Sequence, residues 1–328
     1  ERIKILANGG LRHWWIEPAF WDIKAKLAGL PVYRLLGGTD DRIKLYASSG
    51  ELRSIGARRD EAEARLAEGF DVMKVRVHDW DEAVDIAQIT DIAGHMQGRM
   101  EIAVDCNQAF RMTLHGNAPV WDLPRARRFC DAAADAGLIW VEEPLYMEWY
   151  DDMAALTACS RVPVAGGELH TSGYPELRYM AERRCYHIFQ PDAMWSGGIK
   201  QVMQVAAFCR QAGLGFSPHS WGNGLGFLIN AQIMAASGFA QEYPFEYPYC
   251  PPGWTIEARD AILARPSLHD RGWFDMPREP GLGIEIDRKA LDRQGVCFFR
   301  ATGKARQWMP ERLEGSALRR EVAGSVSA

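Results

Sequence analysis

The sequence predicts an α/β protein folded as a TIM-type (β/α) barrel, and three observations carry this. From Arg42 onward, short β-branched or apolar runs alternate with amphipathic stretches, the rhythm of repeated strand and helix units on a parallel sheet. Eight such runs recur at roughly 25 to 35 residue spacing within about 250 residues, the size of one barrel. Most of the helical stretches stop at a glycine, such as Gly69, Gly137 or Gly213, where a left-handed cap suits a residue without a Cβ. A doubly wound sheet is the alternative arrangement of the same units.

In chain order, strands are expected near Lys44 to Ala47, Val72 to Val77, Ile102 to Asp105, Ile139 to Glu142, Val164 to Ala165, His187 to Gln190, Gly215 to Ser217 and Glu242 to Glu246. Helices fill the gaps, most clearly over Ala57 to Glu68, Asp81 to Ile92, Leu123 to Ala136, Gly198 to Ala212 and Leu225 to Ala236. Trp14, Trp15 and Trp21 fall at helical spacing on an apolar face and read as core or an oligomer contact. Residues 1–41 form a lead-in, 42–287 the barrel, and 288–328 a return segment with a hairpin partner and a polar tail holding Lys304, Arg306, Arg319 and Arg320.

Composition limits the function classes. With 47% hydrophobic and 25% charged residues over 328 positions the chain is globular, long enough to bury about 75% of its unfolded surface. No apolar run reaches the ~18 residues of a membrane span, and Glu1 to Gly10 lacks the shape of a signal peptide, so no membrane partner and a cytoplasmic location are expected. A net charge of -5 provides no basic field for nucleic acid. The seven cysteines are scattered without paired spacing and read as reduced core thiols.

A barrel of this kind places its chemistry at the C-terminal ends of its strands. Strand two ends in Lys74, Arg76 and His78, which period-two alternation puts on one face. Buried cations need anions to face them, and the next three strand ends supply Asp105 and Asn107 in VDCNQ, Glu142 and Glu143 in WVEEP, and Glu168 in AGGELH. Carboxylates on three adjacent strands repel unless they share a hard divalent cation, and an all-oxygen set favours Mg2+ over zinc. Further on, Asp192 follows FQP, His219 follows FSP and Glu246 follows YPF. A histidine facing an aspartate is the usual device for fixing an imidazole tautomer for proton transfer. His170, two residues past Glu168, is a candidate to face the pocket.

Two glycine motifs are weaker signals. In GNGLGF the spacing of a dinucleotide fingerprint is broken by Phe227, and no acid follows to close a ribose site. Gly197 and Gly198 open a helix whose free N–H groups could take an anion, although simple helix initiation is the plainer reading.

Taken together, these motifs resemble the enolase superfamily, in particular its mandelate racemase subgroup, from IEPAFWDIKAKLAGLPVYRLLGG at residue 16 through PGLGIEID near residue 287. The resemblance implies a modified (β/α)7β barrel with remnants of an α+β capping domain in the lead-in, since little precedes IEPAFWDI here. It implies Asp105, Glu142 and Glu168 as Mg2+ ligands, Asp192 and His219 as a dyad, Glu246 as a final acid, and Glu143 as a supporting carboxylate. It also implies a small-molecule carboxylate substrate and an even-numbered homo-oligomer. Asn107, His78 and His170 are the candidates for substrate contact, with further selectivity expected from the loop 112–119.

Arg76 stands where the family's second lysine acts as a base in racemases. Guanidinium, with a pKa above about 12, is a poor proton acceptor, so Arg76 reads as a clamp for a carboxylate with Lys74 as electrostatic support. The expected activity is therefore a Mg2+-dependent dehydratase, a hydro-lyase of a sugar acid or related 2-hydroxycarboxylate, working through an enediolate. The alternatives are a racemase or epimerase of the same superfamily, or a non-catalytic barrel that binds metal or carboxylate.

Overall fold

The computed structural model describes residues 14–110 and 119–295, and the backbone of 300–302 and 305–307. Most of the loop expected to select substrate, 112–118, lies outside the described residues, as do Cys297, Lys304, Arg319 and Arg320.

Eight parallel strands form one curled sheet: β1 Arg42–Ser48, β2 Val72–Arg76, β3 Glu101–Asp105, β4 Val141–Glu142, β5 Val164–Gly166, β6 Ile188–Phe189, β7 Gly215–Phe216 and β8 Phe245–Pro248. The ladder runs β7-β6-β5-β4-β3-β2-β1-β8, so the first strand is flanked by the second and the last, as barrel closure requires. Between β7 and β8, at the two ends of this ladder, the seam is joined by side chains. Ser217 Oγ donates to the Pro244 carbonyl at 2.8 Å, and Ser220 Oγ to the Glu246 carbonyl at 2.8 Å.

Alternation along the strands sorts the side chains into two layers. Tyr46, Val72, Ala103, Trp140, Ala165 and Ile188 form a small apolar cluster of their own. Their neighbours one residue along, among them Ala47, Met73, Val104, Val141, Val164 and Phe189, belong to the large core shared with the surrounding helices. At ~1.5–3 kcal/mol for each fully buried large apolar side chain, most of the stability comes from this outer shell. The interior is thereby left available for polar residues at its upper end.

The helices start and stop where local chemistry dictates. Asp122 Oδ1 caps Leu123–Asp135 by accepting from the Arg125 amide at 2.9 Å, and Asn223 Oδ1 caps Gly224–Ser237 by accepting from Leu225 and Gly226, each at 3.1 Å. Gly213, at φ 66°, ends Gly198–Ala212 in the left-handed region. The other end of that helix does bind an anion, one carried by the chain itself. Glu17 accepts from the Ile199 amide at 2.6 Å and the Lys200 amide at 3.3 Å, tying the lead-in helix Glu17–Ala28 to the barrel.

Several expectations need correction. The last strand begins at Phe245 and not at Glu242, because Pro244 has no N–H to give a ladder and Glu242 is in a turn, paired with Arg210. A short strand, β9 Trp273–Asp275, pairs antiparallel with the start of β1 and was not anticipated; it follows a turn in which Arg271 and Gly272 both have positive φ. Trp15 is 45% exposed and lies outside the core, whereas Trp14 is buried with its Nε1 donating to the Thr171 carbonyl at 2.9 Å. Cys159 is exposed, unlike the other described cysteines. The return segment does contain a hairpin, β10 Arg300–Thr302 with β11 Ala305–Gln307. Among the described residues no helix is long and apolar enough to cross a membrane.

Candidate active site

Parallel register brings the expected residues together. Arg76 on β2 is paired with Asp105 on β3, which is paired with Glu142 on β4, so one rung of the sheet holds a guanidinium and two carboxylates. Six carboxylates, Asp105, Glu142, Glu143, Glu168, Asp192 and Glu246, are buried at this end of the barrel with Lys74, Arg76 and His219.

Lys74 is the hub. Its Nζ lies 2.6 Å from Glu142 Oε1, 2.9 Å from Glu246 Oε1 and 3.6 Å from Asp105 Oδ2. Burial would strip its charge, but the fields of Glu142 and Glu246 prevail and hold its pKa well above the ordinary lysine range. Arg76 Nη2 is 3.5 Å from Asp105 Oδ2, and its Nε is buried without a partner. Asn107, in the left-handed region at φ 45°, donates its amide and Nδ2 to Asp105 at 2.8 and 2.9 Å, leaving its Oδ1 unpartnered.

The second half of the site is built on β5 to β8. His219 Nδ1 is 2.9 Å from Asp192 Oδ2, and its Nε2 is 3.0 Å from Glu168 Oε2 and 3.7 Å from Glu246 Oε2. Burial lowers the imidazole pKa, but Glu168, Glu246 and Asp192 outweigh it, so the pKa stands well above the usual histidine value. Asp192 is itself fixed, accepting from Met194 N at 2.8 Å and Asn230 Nδ2 at 2.9 Å. Glu246 accepts from Ser48 Oγ at 2.7 Å and from the Ser220 and Trp221 amides at 2.7 and 3.1 Å. Although burial alone would raise its pKa, Lys74 and His219 hold its carboxyl well below the ordinary range.

Of the remaining sequence candidates, His170 is buried with Nδ1 3.0 Å from Glu176 Oε1, a carboxylate also held by Tyr150 Oη at 2.9 Å. His78 is buried just past the end of β2. Several participants escaped sequence reasoning. Gln190 Nε2 donates to Glu142 Oε2 at 2.9 Å, and Trp140 Nε1 reaches the same oxygen at 3.2 Å. Gln190 lies two residues before Asp192 on the same alternation, a signal that was available; Asn230 lies within a helix and had none.

The site fits a divalent cation by its charge and donor type. Burial, then the neighbouring Asp105 and Glu246, push Glu142 up to about 7 in spite of Lys74. Glu143, at φ 47°, is pushed well above its usual value by burial, Glu168 and Asp105, and its Oε2 is buried without a partner. A hard divalent cation such as Mg2+ is the kind of ion that crowded carboxylate oxygens of this sort accept. Among the described residues no three acidic, histidine or cysteine side chains converge as a ready ion cage, since Glu142 is turned to Lys74 and Glu168 to His219.

The chain has relatives among known proteins. Over 289 residues the chain is 29% identical to the D-galactarolactone cycloisomerase of Agrobacterium fabrum, covering 84% of this chain and 71% of that protein. It is 27% identical to the D-galactonate dehydratase of Variovorax paradoxus, covering 89% and 78%. The structure of L-talarate dehydratase from Polaromonas sp., complexed with Mg and L-glucarate, superposes with a TM-score of 0.69 at 28% identity, covering 82% of this chain and 68% of that one. The profile of the enolase C-terminal domain-like family matches residues 57–290. The chain therefore belongs to the enolase superfamily, and its barrel is that family's C-terminal domain.

Proposed function

We propose that the protein is a Mg2+-dependent hydro-lyase that dehydrates a sugar acid or related 2-hydroxycarboxylate. The observation that carries this reading is the asymmetry of the proton-transfer groups. On one side His219, held by Asp192, can exchange a proton through Nε2. On the other, the position that would need a second base is the guanidinium of Arg76, which favours dehydration over two-base racemisation. The dehydratases among its relatives support the same class.

Asp105, Glu142 and Glu168 would hold the metal, with Glu143 in support. Magnesium, when bound, supplies several kcal/mol of charge stabilisation to an ionised carboxylate substrate. Arg76 clamps the substrate carboxylate and Lys74 adds positive field beneath it, both opposing the build-up of negative charge in an enediolate. His219 takes the α proton in its neutral form and then, protonated, gives it to the departing β hydroxyl, each transfer worth roughly 10² to 10⁴ fold. Asp192 and Asn230 fix the ring while this happens. Loss of the α proton and the β hydroxyl as water leaves an enol, which becomes a 2-keto-3-deoxy acid. Glu246 faces the reacting region as an ionised acceptor for a substrate hydroxyl.

Two measurements test this. A screen of acid sugars with magnesium should yield keto acid from at least one of them. By calorimetry, Glu168→Gln should weaken magnesium binding more than tenfold, and Glu143→Gln much less. Unchanged affinity in Glu168→Gln would remove the metal assignment.

A further inference from the structure

A cavity of about 410 Å³ lies at the end of the barrel opposite the buried acids, where the strands begin. Its lining includes Ile139 and Trp140 before β4, His187 and Ile188 at β6, Leu214 before β7 and Tyr243 before β8. Trp140 and Ile188 belong to the small buried cluster of the interior, so the inner wall is apolar. Two donors stand on the same lining. His187 Nδ1 accepts the Val164 amide N–H at 3.0 Å, which leaves the ring proton on Nε2, and Nε2 has no hydrogen-bond partner among the described residues. Burial and then the charge of Arg184 lower the imidazole pKa, and no carboxylate acts to raise it, so His187 is a neutral donor beside a cation. Arg184 forms no ion pair among the described residues; its side chain makes one bond, from Nη2 to the Ala212 carbonyl at 3.4 Å. Its backbone is left-handed, at φ 55°, just past the helix Tyr174–Glu182, whereas four other helices end on the left-handed Gly69, Gly137, Gly213 and Gly238. A guanidinium is thus kept where glycine is the unstrained choice and where no acid of the chain uses its charge. Of the acids on the lining, Glu242 pairs with Arg210 at 2.7 Å, and Glu101 begins β3, three strands from β6 in the ladder.

We propose that this cavity binds a small carboxylic acid with an apolar body, at a site separate from the reacting end of the barrel. The carboxylate takes the guanidinium edge of Arg184 and the His187 Nε2–H, and the apolar body packs on Trp140, Ile188 and Tyr243. An apolar lining with a few placed donors suits such a molecule better than a sugar acid, whose hydroxyls would find few partners there. The site stands whichever reaction the upper end performs.

The probe is benzoate, titrated calorimetrically into the full chain with magnesium present. Benzoate should bind, and benzyl alcohol, which keeps the ring and lacks the charge, should bind roughly tenfold more weakly. Arg184→Gly should weaken benzoate roughly tenfold or more without lowering the melting temperature, because glycine accepts the left-handed backbone. A loss of binding in that variant is therefore not a folding defect. Arg76 could also hold a carboxylate, so Arg76→Met serves to mark the other end of the barrel, and in it the benzoate affinity should change less than about twofold. Absence of benzoate binding, equal affinity for benzyl alcohol, undiminished affinity in Arg184→Gly, or loss of affinity in Arg76→Met would each overturn the proposal.

Discussion

His219 has carboxylates at both ring nitrogens, Asp192 at Nδ1 and Glu168 at Nε2, and that pairing decides what it can do. With Asp192 fixing the ring, Nε2 is left as the exchangeable position. Replacing His219 with Asn should therefore abolish turnover together with exchange of the substrate α proton with solvent deuterium, whereas Arg76→Lys should change rate or binding without creating a second base. Exchange at the wild-type rate in His219→Asn would move the base to Lys74 or His78. The partners Asp192 and His219 were legible because each follows a strand closely, after a proline-containing triplet. The turning of Glu142 onto Lys74, Gln190 and Trp140 was not, because it depends on rotamers and on side chains from two other strands as well as its own. The left-handed backbone at Asn107 and Glu143 was equally invisible, and at about 1–3 kcal/mol each it is the kind of strain that functional sites retain.

Between elements, one buried carboxylate joins two helices. Asp85, at the start of Glu82–Met96, accepts from the Asp79 amide at 2.9 Å and from Arg125 Nη2 of Leu123–Asp135 at 2.9 Å. Burial nevertheless pushes its carboxyl up to about 6, against the pull of that amide and of Arg125. A carboxyl whose folded pKa lies above its unfolded value of about 3.9 binds more protons when folded, so its own contribution to stability is greatest below about pH 4 and is lost as pH rises through about 6. The expected fall is on the order of 2 kcal/mol. Melting curves between pH 4 and 7 should show this slope in the wild type and a flatter one in Asp85→Asn; an identical slope in both would place the titration elsewhere. Helices of this kind were readable from period and terminal glycine, as Gly213 shows. The last strand was misplaced because apolar character extends through Tyr243 and Pro244, whereas ladder formation needs an N–H that proline lacks.

For the molecule as a whole, the seam between β7 and β8 follows from how few residues β7 contributes. Ser217 Oγ spans the gap to the Pro244 carbonyl, and Ser217→Ala should cost about 1 kcal/mol of unfolding free energy, measured by denaturant titration. The barrel itself was legible because its eight-fold rhythm is a property of the whole chain. The opening in its ladder was not, since it reflects backbone geometry at the two-residue strand β7. Glu246 sits at this opening, binding the Ser220 and Trp221 amides across it while its other oxygen faces Lys74 and Ser48. The acid proposed to meet substrate is thus also the staple of the cylinder. Native-state hydrogen exchange should register this as local opening, with the Ser220 and Trp221 amides exchanging faster in Glu246→Gln than in the wild type and slower when magnesium and a sugar acid are bound. On that outcome, occupancy of the cleft and closure of the barrel would be a single linked equilibrium, in which a ligand gripping Glu246 draws the two sides of the seam together.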